Sequence, residues 1–166
     1  MSLLSPFPCP HSGCMPSDAP TEMLTDVLSA EKLAVELLAR TDYGRIATSV
    51  RALPFLAFAR HIVENDRVLL RLPRSCGYDR ACVGTVVAYG SDNLSFARPG
   101  ESLWTVQVVG ACTAYEPTAA ETERFGPMPR LVDGEPYEPV YLSVEPQFGT
   151  VHSTDGGLER HFEHTL

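Results

Sequence analysis

A long run of uncharged residues, from Ser102 to Tyr115, constrains the fold of this chain more than any other feature. The run contains no proline and is dense in β-branched and aromatic residues, so its composition predicts one long β-strand. A strand of this length in a small protein usually crosses a barrel and serves both of its halves, and Gly110 predicts a bend or bulge within it. Side chains alternate along a strand, and one face is apolar enough for a core. That face consists of Trp104, Val106, Val108, Cys112 and Ala114.

The size and charge of the chain exclude several classes of protein. A length of 166 residues predicts a single domain with a sizeable core. The net charge of −8 argues against a general nucleic-acid binder, whose affinity depends on neutralising phosphates. Lys32 is the only lysine, so the Gly-Lys-Ser/Thr core of a P-loop is absent. Because no apolar run is long enough to span a membrane and the five cysteines lack framework spacing, we expect a cytoplasmic protein with reduced thiols.

Both ends of the chain lack the apolar patterning of a folded domain. The first segment is rich in proline, which favours a flexible tail. Cys9, His11 and Cys14 lie in this tail, but three ligands without a second cluster of the usual spacing are too few for a structural zinc site. We therefore expect no bound metal. The predicted division is a flexible proline-rich tail at 1–22, a barrel domain at 23–152 and a C-terminal tail at 153–166.

Shorter patterns predict a helix and five further strands around the long one. Apolar spacing predicts a helix from Ser29 to Arg40. Glu64-Asn-Asp66 predicts the turn of a β-hairpin, and Thr118-Ala-Ala-Glu121 has the spacing of a helix capping box. Six strands with only peripheral helices and mostly short turns predict a mainly β fold, an antiparallel barrel. The further strands are predicted at 45–50, 54–63, 67–72, 83–89 and 140–145, with an additional short edge at 148–152.

Three segments of the chain, in the right order and at the right spacing, resemble the motifs of one known family. A helix ending at Leu38 and running into Gly44-Arg-Ile-Ala-Thr-Ser49 is similar to a helix followed by Gly-Arg-Leu-Ala-x-Ser. Leu70-Arg71-Leu72 and then Gly77-Tyr-Asp-Arg80 resemble Phe-Arg-Thr and then Gly-Thr-Lys. Trp104-Thr-Val-Gln-Val-Val-Gly110 is similar to Gly-Trp-Ser-Val-x-Val-x-Gly. The family is that of the pyridoxamine 5′-phosphate oxidase-like, nitroimidazole-resistance-type FMN-binding split barrels, and the resemblance covers residues 28–144.

The resemblance implies a fold, an assembly and a cofactor. The implied fold is a six-stranded antiparallel Greek-key split β-barrel with a few peripheral helices. Members of the family are typically homodimers that hold FMN in a groove between the subunits, and several bind a deazaflavin or haem instead. We therefore expect a homodimer with FMN as its cofactor and a small molecule as its substrate.

The chemistry of such a cofactor indicates which side chains would bind it. A flavin phosphate is a dianion that needs charge-assisted donors, best supplied by the fork of an arginine. Hydroxyl side chains could bond the phosphate or the ring edges, and aromatic side chains could pack on the isoalloxazine. Each has an ordinary alternative, since an arginine at a strand end is often a surface charge and a tryptophan is often part of a core. The predicted cofactor-binding residues are Thr48, Ser49, Phe58, Arg71, Arg80, Trp104 and Thr105.

Two functions remain open from the sequence. The first is an FMN-dependent oxidoreductase that reduces a small organic substrate and uses no catalytic side chain, because flavin chemistry resides in the ring. His61, near the end of a hairpin strand, is expected to be exposed rather than catalytic. The second function is a cofactor-free, deazaflavin-binding or haem-binding split barrel that acts as a small-ligand binder or assembly partner. Two departures from the family pattern favour this second function. Leu72 stands where the family has a threonine, and the family's lysine after Gly-Thr is absent here, with Arg80 as the nearest substitute.

Overall fold

The structure, a computed structural model, describes residues 30–154 of the chain. Its helices are α1 at residues 30–38, α2 at Tyr78–Cys82 and α3 at Ala119–Arg124, and a 3-10 turn spans Arg74–Cys76. The strands are β1 Tyr43–Val50, β2 Leu53–Glu64, β3 Arg67–Pro73, β4 Val86–Asp92, β5 Leu103–Ala114, β6 Leu131–Val132, β7 Glu135–Pro136 and β8 Pro139–Thr154.

Six of the strands close into one barrel. They follow each other around it in the order β1-β2-β3-β8-β5-β4, and every neighbouring pair is antiparallel. The predicted mainly β fold, a six-stranded antiparallel split barrel, is therefore confirmed. The hairpin between β2 and β3 turns at Asn65 and Asp66, whose positive φ angles of 51° and 60° match the backbone twist of a tight hairpin turn.

Strand β8 is longer than the sequence predicts. The strand predicted at 140–145 and the short edge at 148–152 are one continuous element, which pairs first with β3 and then with β5. The register between β5 and β8 shifts between Val109 and Gly110, so the predicted irregularity is a bulge at Gly110. A Cβ atom at this position would overlap the carbonyl oxygen of Glu145, and only glycine lets the two strands approach so closely.

Two other boundaries differ from the sequence prediction. The strand expected at 83–89 begins at Val86, because the chain first leaves α2 through a turn at Gly84, whose φ is 79°. The amide of Gly84 donates to the carbonyl oxygen of Cys112 at 2.9 Å. No strand is predicted between Pro127 and Glu138, where the structure has the short hairpin of β6 and β7.

The main core fills the barrel and is closed at one end by α1. Val106, Val108 and Cys112 point inward from β5, as their alternation predicts. Four residues of α1 are buried, and the helix lies so close to β8 that a Cβ atom at Gly149 would come within 2.7 Å of the Glu31 Cα. The buried helix residues are Ala34, Val35, Leu37 and Leu38.

The outside of the barrel has one covered and one uncovered region. Ile62, Leu69 and Phe125 form a small second core, in which the segment after α3 covers the outer surface of β2 and β3. The outward side of β1, β4 and β5, with the adjoining parts of β2 and β8, is not covered by any described residue, and we call it the bare face. Its large apolar side chains are Leu56, Phe58, Val86 and Phe148, with exposures of 63%, 70%, 60% and 48%.

Several expectations fall on residues outside 30–154. These are the cysteines and histidine considered as metal ligands, Cys9, His11 and Cys14, the tail at 1–22 and most of the tail at 153–166. Within the described range, no group of three or more histidine, cysteine, aspartate or glutamate side chains could hold a metal ion. No helix in that range is long and apolar enough to cross a membrane.

Candidate functional site

A groove runs along β1 and β4 on the bare face. It consists of two adjoining cavities of about 360 and 220 Å³, which share Arg45, Ser91 and Asp92. We call the two together the outer groove. The first cavity lies toward the end of the barrel that α1 closes, and the second extends along the middle of the sheet. Side chains that line the outer groove include Thr41, Tyr43, Phe58, Ser95 and Phe96 in the first cavity, and Ala47, Leu56, Ala88 and Gln107 in the second.

Arg45 is the central charged side chain of the outer groove. It lies opposite Phe58 in the β1–β2 register, and its guanidinium carbon is 5.1 Å from the centre of the Phe58 ring. Its Nη1 donates to Oδ2 of Asp92 at 3.1 Å. These two contacts hold the guanidinium between an aromatic ring and a carboxylate, while the arginine side chain stays half exposed.

Sequence reasoning did not select Arg45, although it belongs to the Gly-Arg-Ile segment. The available signal was the alternation of β1, because an inward Ile46 requires an outward Arg45. An outward-facing arginine that pairs with Phe58 across β1 and β2 is a candidate for the same site.

Two glycines beside the outer groove allow close approach of neighbouring atoms. A Cβ atom at Gly90 would come within 2.8 Å of the Val106 carbonyl oxygen, so a side chain there would separate β4 from β5. A Cβ atom at Gly44 would lie 2.6 Å from the Tyr89 hydroxyl oxygen. Gly44 thus leaves room inside the barrel for the hydroxyl group of Tyr89.

That hydroxyl group belongs to a buried hydrogen-bond chain around His61. The Tyr89 oxygen lies 2.7 Å from Nδ1 of His61, and Nε2 lies 2.8 Å from the Leu38 carbonyl oxygen at the end of α1. Since a carbonyl can only accept, Nε2 carries the proton and Nδ1 accepts from Tyr89. Burial lowers the pKa of His61 from its ordinary value of 6.5, and the bond to Leu38 opposes this shift.

The expectation that His61 is exposed is therefore wrong. Its side chain is 1% exposed, because its backbone position on β2 points into the barrel, where α1 closes the end. A neutral imidazole held between a tyrosine and a helix carbonyl is a structural group, and it does not line the outer groove.

The predicted cofactor residues do not all lie together. Phe58 lines the outer groove, and Thr105 is exposed beside it, paired in register with Asp92. Thr48 and Ser49 lie at the other end of β1, against which α2 packs, and α2 carries the exposed Arg80. Through the strand register, Thr105 is level with the start of β1 at Tyr43, and Ser49 lies about six residues further along that strand. At 3.3 Å per residue, this separation is roughly 20 Å along the sheet.

Arg71 and Trp104 are engaged with the protein itself. Arg71 is buried on the covered side of the barrel, where its two terminal nitrogens donate to the carbonyl oxygens of Gly126 and Pro127 at 2.9 and 3.0 Å. The half-buried Trp104 packs against the main core, and its ring meets Phe96 edge-on with 6.4 Å between centroids. Trp104 thus reaches the outer groove only through Phe96.

The outer groove combines aromatic, hydroxyl and charged side chains. Its described lining offers two phenylalanine rings, a tyrosine, hydroxyl groups, the Arg45–Asp92 ion pair and the further charged residues Arg40 and Asp42, but no cysteine, lysine or histidine. Concave sites where apolar and aromatic surface adjoins a few placed polar groups are typical of small-molecule and cofactor binding. The fold and the groove together define a split barrel with an outward-facing candidate groove.

The comparison with protein families agrees with that class. The sequence model of the pyridoxamine 5′-phosphate oxidase family matches residues 31–153. This chain belongs to that family, as the resemblance of its three motifs predicts. No protein of curated function is detectably similar to it in sequence.

Solved structures show the same fold at low sequence identity. The FAD binding protein from Mycobacterium smegmatis is 22% identical with a TM-score of 0.57, and the match covers 74% of this chain and 95% of that one. The FAD and heme binding protein from the same organism is 14% identical with a TM-score of 0.55, covering 75% and 71%. An FAD-binding protein from Mesorhizobium loti is 11% identical with a TM-score of 0.50, covering 74% and 91%.

Proposed function

We propose that this protein binds a flavin in the outer groove and acts as an FMN-dependent oxidoreductase on a small organic substrate. The observation that carries the proposal is the exposed Phe58 ring beside the Arg45–Asp92 pair, in a groove on the bare face of a chain of this family. Proteins of the same fold that are named for FAD or for FAD and haem make a flavin the first ligand to test.

The ring end of a flavin suits the outer groove. Phe58 and Phe96 offer aromatic surface, and Leu56 and Ala47 offer apolar surface, for a planar heterocycle to pack against. Arg45 and Asp92 supply a donor and an acceptor at the edge of that surface. When bound, a flavin supplies the redox chemistry, and these side chains would orient its ring and exclude water from it.

The phosphate end requires a cation, and Arg80 is the better of the two predicted arginines. Its side chain is exposed on α2, and no ion pair joins it to a residue of the range 30–154. The Arg80 end is roughly 20 Å along the sheet from Thr105, which lies at the far end of the groove. We propose a site composed of the outer groove of one copy and the Arg80 end of another.

A homodimer built on the bare face would bring these parts together. Leu56, Phe58, Val86 and Phe148 expose apolar surface on neighbouring strands of that face. Extended apolar surface on a small protein is typical of an interface, and an obligate homodimer interface is large and apolar. The free thiols of Cys76, Cys82 and Cys112 suit a reducing compartment, so we propose that this dimer works in the cytoplasm.

A second candidate function rests on Arg71. Because both of its terminal nitrogens already bond carbonyl oxygens, one of the two arginines expected at a flavin phosphate is committed to another task. This favours a split barrel without a flavin, or one that holds a deazaflavin or haem, working as a small-ligand binder or assembly partner.

The visible absorption spectrum of the purified protein separates the two candidates. We expect flavin absorbance in the protein as isolated, or a saturable spectral change when FMN or FAD is added to it. A colourless protein whose spectrum does not respond to either flavin would reject the first candidate. A Soret band after addition of haem would support the second.

A further inference from the structure

The hairpin of β1 and β2 extends past the strands on either side of it. β4 pairs with β1 only at residues 45–47, and β3 pairs with β2 only at residues 60–64. β1 and β2 continue to pair with each other as far as Val50 and Leu53. We call residues 48–56 the arm. In the part of the chain that the structure describes, no third strand pairs with the arm, so its outer edges are open to another surface.

The β2 side of the arm is exposed on both faces. Alternate side chains of a strand point to opposite faces, yet every residue from Arg51 to Leu56 is exposed. The large apolar ones are Leu53, Phe55 and Leu56, with exposures of 64%, 40% and 63%. The β1 side is better covered, because α2 packs against that strand. Apolar surface gathered in one place in this way is typical of an interaction site.

The turn at the tip of the arm is unfavourable for an isolated hairpin. Arg51 and Ala52 form a two-residue turn, with φ angles of 51° and 65°. Such turns need positive φ, which glycine and asparagine adopt readily and alanine does not. A two-stranded hairpin is only marginally stable in water even when its turn is favourable. The arm therefore depends on packing against a further surface.

We propose that the arm packs against a second copy of this chain and covers the partner's outer groove. This inference rests on the proposed function and deepens it, because the arm becomes part of the ligand site. Leu56 belongs both to the arm and to the bare face, and Phe58 follows it on the same side of β2. The apolar surface of the arm thus continues the surface on which the dimer is proposed.

A two-fold axis that crosses the strands near the middle of β1 would place the arm over the partner's groove. Such an axis brings the same face of both copies together and reverses the strand direction of one against the other. The arm end of β1 and the Tyr43 end are roughly 20 Å apart, and the axis would lie about halfway between them. Each arm then lies against the first cavity of the other copy, and the two contacts are identical.

A lipid surface would fit the arm less well than a second copy does. Arg51 is the only charged residue of the arm, and the chain has a net charge of −8. Anionic membrane surfaces attract clusters of several lysine and arginine residues, which the arm lacks.

Sedimentation of Leu53→Ser tests the docking of the arm without any flavin. Because Leu53 is exposed in a single chain, serine should leave the fold of that chain unchanged. If the leucine is buried against a second copy, its loss should raise the dissociation constant of the dimer by about tenfold or more. The control is Leu131→Ser, which removes a leucine of similar exposure, 60%, from the β6–β7 hairpin. Equal dissociation constants for the two variants, or a monomeric wild type, would overturn the proposal.

Mixed dimers test whether the arm covers the groove of the partner. Leu53→Ser in the arm and Arg45→Ala in the groove should each weaken FMN binding, measured at protein concentrations where both variants are dimers. Mixing the two should restore part of the tight binding, because each mixed dimer contains one site with an intact arm and an intact groove. Tight binding that does not return on mixing would show that the arm does not cover the partner's groove. If the wild type binds no flavin, the proposed function fails, and sedimentation still decides whether the arm docks.

Discussion

Arg71 and Arg80 differ in what their guanidinium groups contact. Arg71 holds the segment after α3 against the barrel, through two carbonyl oxygens and the face of the Phe125 ring. Arg80 extends from α2 into solvent. A surface arginine loses little when it turns to bind an anion, whereas Arg71 is buried and would have to give up two hydrogen bonds to carbonyl oxygens.

Replacing Arg80 with alanine should weaken FMN much more than riboflavin, which has no phosphate. A charge-assisted hydrogen bond contributes roughly 1.5–3 kcal/mol, so a loss of about ten- to a hundredfold is expected for FMN alone. Fluorescence titration of both ligands measures the difference. The control is Arg130→Ala, another exposed arginine. Equal losses for FMN and riboflavin would remove Arg80 from the phosphate site.

His61 should make the protein less stable below neutral pH. Its pKa is lowered in the folded state, so the unfolded chain, with a pKa near 6.5, binds a proton more readily. The free energy of unfolding should therefore fall as the pH drops below 6.5, by at most about 1.4 kcal/mol per pH unit. Urea titrations between pH 7 and pH 5 measure this slope.

A glutamine at position 61 separates this effect from the titration of carboxylates. Its amide can still donate to the Leu38 carbonyl oxygen but does not titrate. His61→Gln should flatten the slope just below pH 6.5, whereas His152→Gln, at an exposed position, should not. Identical slopes in all three proteins would show that His61 does not control the acid response.

At the scale of elements, the contact between β5 and β8 depends on Gly110. An alanine there would overlap the Glu145 carbonyl oxygen, so the two strands would have to separate along the bulge. We expect Gly110→Ala to lower the free energy of unfolding by about 3 kcal/mol or more. Gly100→Ala is the control, since it meets no neighbouring atom and costs about 1–2 kcal/mol for its φ of 83°. Similar denaturation midpoints for the two variants would contradict this account of the bulge.

The elements that the sequence predicts well are those determined by nearby residues. The long β5, the hairpin turn after Glu64 and the capping box of α3, where the Glu121 amide meets the Thr118 hydroxyl, all follow from residues within a few positions of each other. The burial of His61 and Arg71 could not be predicted in this way. Their partners Tyr89 and Gly126 lie 28 and 55 residues further along the chain, and only the closed barrel brings them together.

The candidate site was predictable to a similar extent. The chemistry that a flavin needs points to Phe58 and Thr105, which lie at the outer groove, but it does not point to Arg45. Thr48 and Ser49 directly follow Ala47, which lines the groove. The distance of this end of β1, and of Arg80 on α2, from Thr105 depends on strand register across the whole sheet, which local patterns do not determine.

At the scale of the whole molecule, the bare face predicts a homodimer. Sedimentation at micromolar concentration should give twice the chain mass of 18.1 kDa. Val86→Glu places a charge on an exposed residue of β4, the middle strand of that face, and should shift the protein toward monomers without unfolding it. Leu131→Glu, exposed on the β6–β7 hairpin, should leave the mass unchanged. A wild-type protein that sediments as a monomer would contradict the dimer.

The central claim, that a flavin binds in the outer groove, is tested most directly by titrating FMN into the wild-type protein and Phe58→Ala. The wild type should show saturable quenching of flavin fluorescence. Loss of the Phe58 ring should weaken binding by about tenfold, since aromatic packing contributes roughly 0.5–1.5 kcal/mol beyond the area it buries. Leu131→Ala should bind as the wild type does. The absence of saturable binding, or an unchanged affinity in Phe58→Ala, would contradict the claim.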